Sequence, residues 1–90
     1  MPKMIITHNV ADVDKWLGFK EERADSITSM MGGTNVVDYA AQDGSNTVAI
    51  GANIGDVDAV LAGLESPAPE LRAIMERHGV LPPMTIYIEK

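Results

Sequence analysis

Along this chain the apolar positions recur with two periods, and the order in which those periods alternate outlines the fold. Residues 4–10, MIITHNV, put Met4, Ile6, His8 and Val10 on one face of an extended segment too short and too β-branched for a helix. Over 13–31 the apolar residues Val13, Trp16/Leu17, Ala24, Ile27 and Met31 recur every three or four positions, which predicts one long helix capped by Asp12 and ended by Gly32–Gly33. Strand patterns return at 35–42 and 47–54. They flank DGSN (43–46), whose Asp, Gly and Asn tolerate the dihedrals of a tight hairpin turn. Asp56 opens a short helix with Val57, Val60, Leu61 and Leu64 on one face. SPAPE (66–70) restarts it, with Ser66 as cap and Pro67 at the first helical position, and Leu71, Ile74 and Met75 carry the stripe on to a stop at Gly79. A strand at about 84–89 closes the chain.

Strand, helix, strand, strand, helix, strand is the split βαβ order, an α+β, ferredoxin-like domain spanning 1–90: a four-stranded antiparallel sheet with two helices on one face. If the hairpin closes evenly over 43–46, Tyr39 faces Ile50, Val37 faces Ala52 and Ala41 faces Val48, and this apolar face receives the helices. The opposite face then holds Val36, Asp38, Ala40, Ala49, Gly51 and Asn53, with Ile5, Thr7, Asn9, Thr85 and Tyr87. Mixed and mostly small, it suits contact with a second sheet, so a homodimer is expected, with Asp38 at its interface or in solvent.

Composition narrows the function classes. Hydrophobic residues make up 46% of the chain but only four residues are aromatic, so the core is aliphatic. A chain of 90 residues buries only about 60% of its unfolded surface, and association would supplement that core. Thirteen acidic against seven basic side chains give a net charge of −6 spread over several segments, which argues against nucleic acid. Without cysteine there is neither a disulfide framework nor a thiolate metal site. No segment reads as a leader or a membrane span, and the cytoplasm is the expected compartment.

With a histidine in strand one, VADVDKW opening helix one and SPAPELRAIMERHGVLPPMTIYIEK closing the chain, the sequence resembles the dimeric α/β-barrel proteins. These include antibiotic-biosynthesis monooxygenases, stress-responsive barrel proteins and small polyketide cyclases, and the likeness is closest to short uncharacterised members. The resemblance implies a homodimer whose sheets form a barrel, with a small-molecule cavity between each sheet and its helices. No cofactor is expected. Such relatives usually carry an aromatic residue four positions after the tryptophan; here that position is Lys20, and Phe19 comes one earlier.

Six residues are candidates for chemistry. His8 shares the helix-facing side of strand one and is the natural general base; alternatively it is a core histidine satisfied by a carbonyl or water. His78 extends the inward stripe of helix two, where a cationic ring also suits the helix dipole. Similar barrel cyclases place a proton-handling group near this helix end. Two histidines are too few for zinc, so no metal is expected. Lys20 falls within the apolar arc of helix one, so it must snorkel, pair with a carboxylate or face the cavity. Tyr39, on the expected cavity face, would donate to an enolate oxygen or simply pack. Trp16 and Arg23 flank the stripe, Trp16 as packing or ligand wall, Arg23 as partner of an acidic ligand or of a surface carboxylate. Together these give two expectations. One is a cofactor-independent monooxygenase or cyclase/isomerase acting on an enolisable, largely apolar small molecule, with His8 as base and Tyr39, His78 or Lys20 holding the oxyanion. The other is a non-catalytic ligand-binding or regulatory barrel.

Overall fold

The computed structural model describes residues 2–90. Strands β1 (Lys3–Val10), β2 (Thr34–Ala40), β3 (Thr47–Asn53) and β4 (Val80–Ile88) form one antiparallel sheet in the order β2-β3-β1-β4. Helices α1 (Val13–Gly18) and α2 (Lys20–Met31) follow β1, and α3 (Val57–Glu65) and α4 (Pro69–Arg77) follow β3. This is the expected α+β, ferredoxin-like architecture, with each helical connection delivered in two pieces.

The core follows from the alternation in the central strands. Met4 and Ile6 of β1 and Ala52 of β3 pack with Ile27 of α2, Val60 and Leu64 of α3, and Ile54. A second, smaller cluster joins Val10, Val48 and Trp16. Trp16 and Val10 have no exposed surface at all. Helix ends obey local chemistry: Asp12 and Asp56 cap α1 and α3 by accepting from Lys15 N at 3.1 Å and Ala59 N at 3.0 Å. Gly32 ends α2 in the left-handed conformation, φ 66°, which glycine, having no Cβ, adopts without strain.

Four expectations are corrected. The helix expected over 13–31 breaks at Phe19, φ −95° and ψ 16°, where the Phe19 N–H bonds Trp16 O at 3.1 Å, closing a turn of three residues instead of four. Gly18, a weak helix former, sits immediately before the break. The tighter turn rotates α2 relative to α1, so Trp16, Arg23 and Ile27 are buried while Leu17 and Lys20 are exposed. Lys20 therefore lies outside the apolar seam in which the uniform helical period placed it.

The hairpin closes differently as well. Ala40 pairs with Val48, Tyr39 with Ala49, Asp38 with Ile50 and Val37 with Gly51, an odd loop centred on Gly44, φ 79°. Relative to an even closure over 43–46 this slips the pairing by one residue, which turns every β2 side chain to the other face. Tyr39 moves to the open face, 48% exposed, its ring lying across Gly51, and Asp38 turns under the helices. A bulge between Thr34 and Val37, with Asn35 at φ 52°, absorbs the shift at the other end of the strand.

The last strand begins at Val80, earlier than expected. Its pairing with β1 jumps from Thr7–Thr85 to Asn9–Leu81, so Pro82, Pro83 and Met84 bow past His8. Proline has no N–H to give to a ladder, and the sheet loosens where two of them stand. In α4 the residue at the first helical turn is Pro69, after an extended Ala68; Ser66 ends α3 rather than capping α4.

Candidate functional site

Between the helix-facing side of the sheet and the helices lies a cavity of about 70 Å³. Its wall is largely aliphatic, Ile6, Ile27, Ile50, Leu64, Ile74 and Met84 among others, and its polar members are His8, Trp16, Arg23, Ser26 and His78. Four of the six residues singled out in the sequence meet here: His8, Trp16, Arg23 and His78. Lys20 and Tyr39 do not.

β1 delivers His8 by simple alternation, since it shares the buried side with Met4, Ile6 and Val10. Its Nδ1 lies 3.0 Å from the Asn9 carbonyl oxygen. A carbonyl only accepts, so Nδ1 carries the proton in the neutral ring and Nε2 is left as the basic nitrogen. Among the described residues Nε2 has no hydrogen-bond partner. Burial lowers the His8 pKa from its ordinary value; the Asn9 bond opposes this and the nearby Arg23 charge adds to it. His8 is thus a neutral imidazole with a free lone pair against an apolar wall.

Trp16 and Arg23 come from α1 and α2 as one unit. Seven residues apart, they face the same way across the break, and the Arg23 Cζ sits 3.7 Å from the Trp16 ring centre. The His8 and Trp16 rings meet edge to face, centres 6.2 Å apart. The Trp16 Nε1–H is buried and has no hydrogen-bond partner among the described residues. Arg23 is held by Asp38 of β2 through two bonds, Nε to Oδ1 at 3.1 Å and Nη2 to Oδ2 at 2.7 Å, with side chains only 5% and 3% exposed. Such a fork is the strongest geometry an ion pair can adopt. Arg23 Nη1 also donates to His78 Nδ1 at 3.4 Å.

His78, the residue that ends α4, has both nitrogens committed. Because arginine only donates, Nδ1 must accept, and Nε2 then donates to Glu22 Oε1 at 3.0 Å. The ring stacks on Phe19, centres 4.5 Å apart and planes 13° from parallel. Burial lowers the His78 pKa; the bond to Glu22 opposes that, and the Arg23 charge reinforces it. Arg77 donates to the same Glu22 oxygen, and these two bonds, Arg77 first and His78 second, hold the Glu22 carboxyl below its ordinary value. A continuous polar chain therefore runs from buried Asp38 through Arg23 and His78 to Glu22 at the surface.

Asp38, Glu22 and Phe19 were not among the residues singled out. A signal for Arg23 exists, because the spacing from Trp16 puts both on one helix face. None exists for Asp38, whose side depends on the hairpin register, or for Glu22, whose partners lie 55 and 56 positions away. Among the described residues no cluster of His, Asp or Glu could hold a metal ion. No helix among them is long and apolar enough to cross a membrane.

Neither a family model nor a curated protein matches this sequence. Solved structures do. An antibiotic biosynthesis monooxygenase-type protein from Bordetella bronchiseptica superposes with a TM-score of 0.74 at 9% identity, covering 99% of this chain and 94% of that one. A similarly assigned protein from Nitrosomonas europaea gives 0.59 at 17%, with 100% and 97% covered. SnoaB, a cofactor-independent oxygenase from Streptomyces nogalater, gives 0.63 at 15%, with 96% and 89% covered. At such identities the likeness is one of fold, and it agrees with the resemblance found in the sequence.

Proposed function

We propose that the chain is a cofactor-independent enzyme that removes a proton from a small, largely apolar, enolisable molecule in the cavity beneath the helices. The observation that carries this reading is His8: buried, neutral, held in one tautomer by Asn9, with Nε2 free. A base of this kind takes a proton without first losing one to solvent. The negative charge left on the substrate oxygen falls to Arg23, which lines the same cavity and has two N–H groups not used by Asp38 or His78. His78, with both nitrogens engaged, positions Arg23. The carbanion then cyclises, isomerises or is attacked by dioxygen, the last in keeping with the oxygenase among the structures of like fold. Lys20 and Tyr39 have no part in this proposal.

Exchange of the α-protons of small cyclic ketones into D2O, followed by NMR, tests the first step. Wild-type protein accelerates exchange at neutral pH, and His8→Ala abolishes the acceleration while the circular dichroism spectrum is retained. Equal rates in both proteins would sink the role of His8 and favour a non-catalytic binding barrel.

We also infer a homodimer. The open face of the sheet carries Ile5, Val37, Tyr39, Leu81 and Tyr87, and four of these are large hydrophobics left exposed, Tyr87 at 57%. Pairing two such faces would build the barrel that the sequence resemblance implies. Sedimentation at micromolar concentration is expected to give twice the chain mass; a monomer contradicts it.

A further inference from the structure

We propose that Asp38 is a specificity-determining residue: by cancelling the charge of Arg23 inside the cavity wall, it restricts the cavity to neutral ligands that carry a hydrogen-bond acceptor, and excludes carboxylates. The proposal rests on the cavity being a ligand site, as above, and concerns which ligands it admits.

The charges around the cavity balance. Arg23 is the cation in its wall, and the fork from Asp38 satisfies it with a full negative charge at 2.7 Å, both side chains out of water. His8 and His78 are each held neutral by burial and by the nearby Arg23 charge, against the opposing pull of their bonds to Asn9 and Glu22. Further out, Glu22 is matched by Arg77. An entering carboxylate would therefore lose its water without gaining an unpaired cation, a cost that burial in an apolar site makes large. It would also stand close to Asp38, across a single guanidinium. A neutral ligand meets no such penalty. It can accept from the spare Arg23 N–H groups while its carbon skeleton covers the aliphatic wall. If it also carries a weakly acidic hydroxyl, His8 Nε2 is there to accept.

Without Asp38 the same guanidinium would become an unpaired cation aimed at the cavity. Its preference should then invert, because a carboxylate ligand would supply the negative charge the guanidinium has lost, accepting from the N–H groups that Asp38 and His78 do not use.

Phenol and benzoate, close in size but the first neutral and the second anionic at pH 7.5, are the probes. Isothermal titration and thermal shift are run with wild-type protein and Asp38→Asn. Wild type is expected to bind phenol at least tenfold more tightly than benzoate, and Asp38→Asn to bind benzoate at least tenfold more tightly than wild type does. If Asp38→Asn is folded only when benzoate is added, the proposal is equally supported. Benzoate binding to wild type as well as phenol does overturns it. So does a folded Asp38→Asn protein that binds phenol and gains nothing for benzoate, an outcome that leaves the cavity reading standing. Should Asp38→Asn not fold under any condition, the wild-type ratio decides. If neither probe binds either protein, the cavity reading fails, and this proposal fails with it.

Discussion

Trp16 shows how much one side chain can reveal about a site. It is the single aromatic residue with no exposed surface, so truncation to alanine should cost about 3–5 kcal/mol, the range for deleting a large buried ring. Its N–H, however, is buried without a partner, and an unsatisfied buried donor costs roughly 1–3 kcal/mol. Trp16→Phe removes that burden along with part of the volume, and is expected to change stability far less than Trp16→Ala. Urea denaturation of the two variants checks this. If phenylalanine costs as much as alanine, the N–H has a partner in solution. The residue scale was also where the sequence was least informative. Periodicity put His8 and His78 on inward stripes and Trp16 and Arg23 beside one, but it did not show that they share a pocket, and the bonds of Arg23 and His78 could not be read because their partners belong to other elements.

At the scale of elements, two glycines separate local from tertiary demands. Gly18 ends α1 with an ordinary backbone and open space around it, so Gly18→Ala should raise stability by about 0.5–1 kcal/mol through helix propensity alone. Gly33, which follows the end of α2, is different. A Cβ there would come 2.7 Å from Cγ2 of Ile27 and 3.2 Å from Cδ1 of Ile54, both in the core, and a branched side chain in a packed core has little room to retreat. Gly33→Ala should cost about 1–3 kcal/mol, the usual range for overpacking. Thermal melts of opposite sign are the expected result, and a stabilising Gly33→Ala would contradict the close approach of α2 to the sheet. The same contrast explains the sequence reading of elements. Caps at Asp12 and Asp56 and the stop at Gly32 are bonds within a few residues, so they could be read directly. The break at Phe19 and the slipped hairpin could not, since each turns on one residue more or fewer in a loop or turn.

The whole molecule answers to pH through its two histidines. Unfolded, both titrate near 6.5; folded, both titrate lower, chiefly because burial disfavours the charged ring. Between the folded and unfolded values the unfolded chain binds more protons than the folded one, so stability rises with pH, is complete above 6.5 and declines as the solution is acidified below it. Glu22, whose carboxyl is held low by Arg77 and His78, extends the decline in the same direction at lower pH. Melting temperatures from pH 8 to pH 5 should fall steadily below pH 6.5, and a flat profile would mean the imidazoles are not held neutral. By itself the sequence determined the order of elements, the ferredoxin-like sheet, the sides of β1 and β3, and the enclosure of His8, because periods of two and of three to four are properties of a chain's own geometry. Tertiary structure decided which charged residue sits under the helices. Lys20 and Arg23 are three positions apart on α2, Asp38 and Tyr39 are neighbours on β2, and in each pair only one turns inward. A three-residue turn at Phe19 and an odd loop at Gly44 select Arg23 and Asp38, since a shift of one residue reverses a strand face and turns a helix by about 100°.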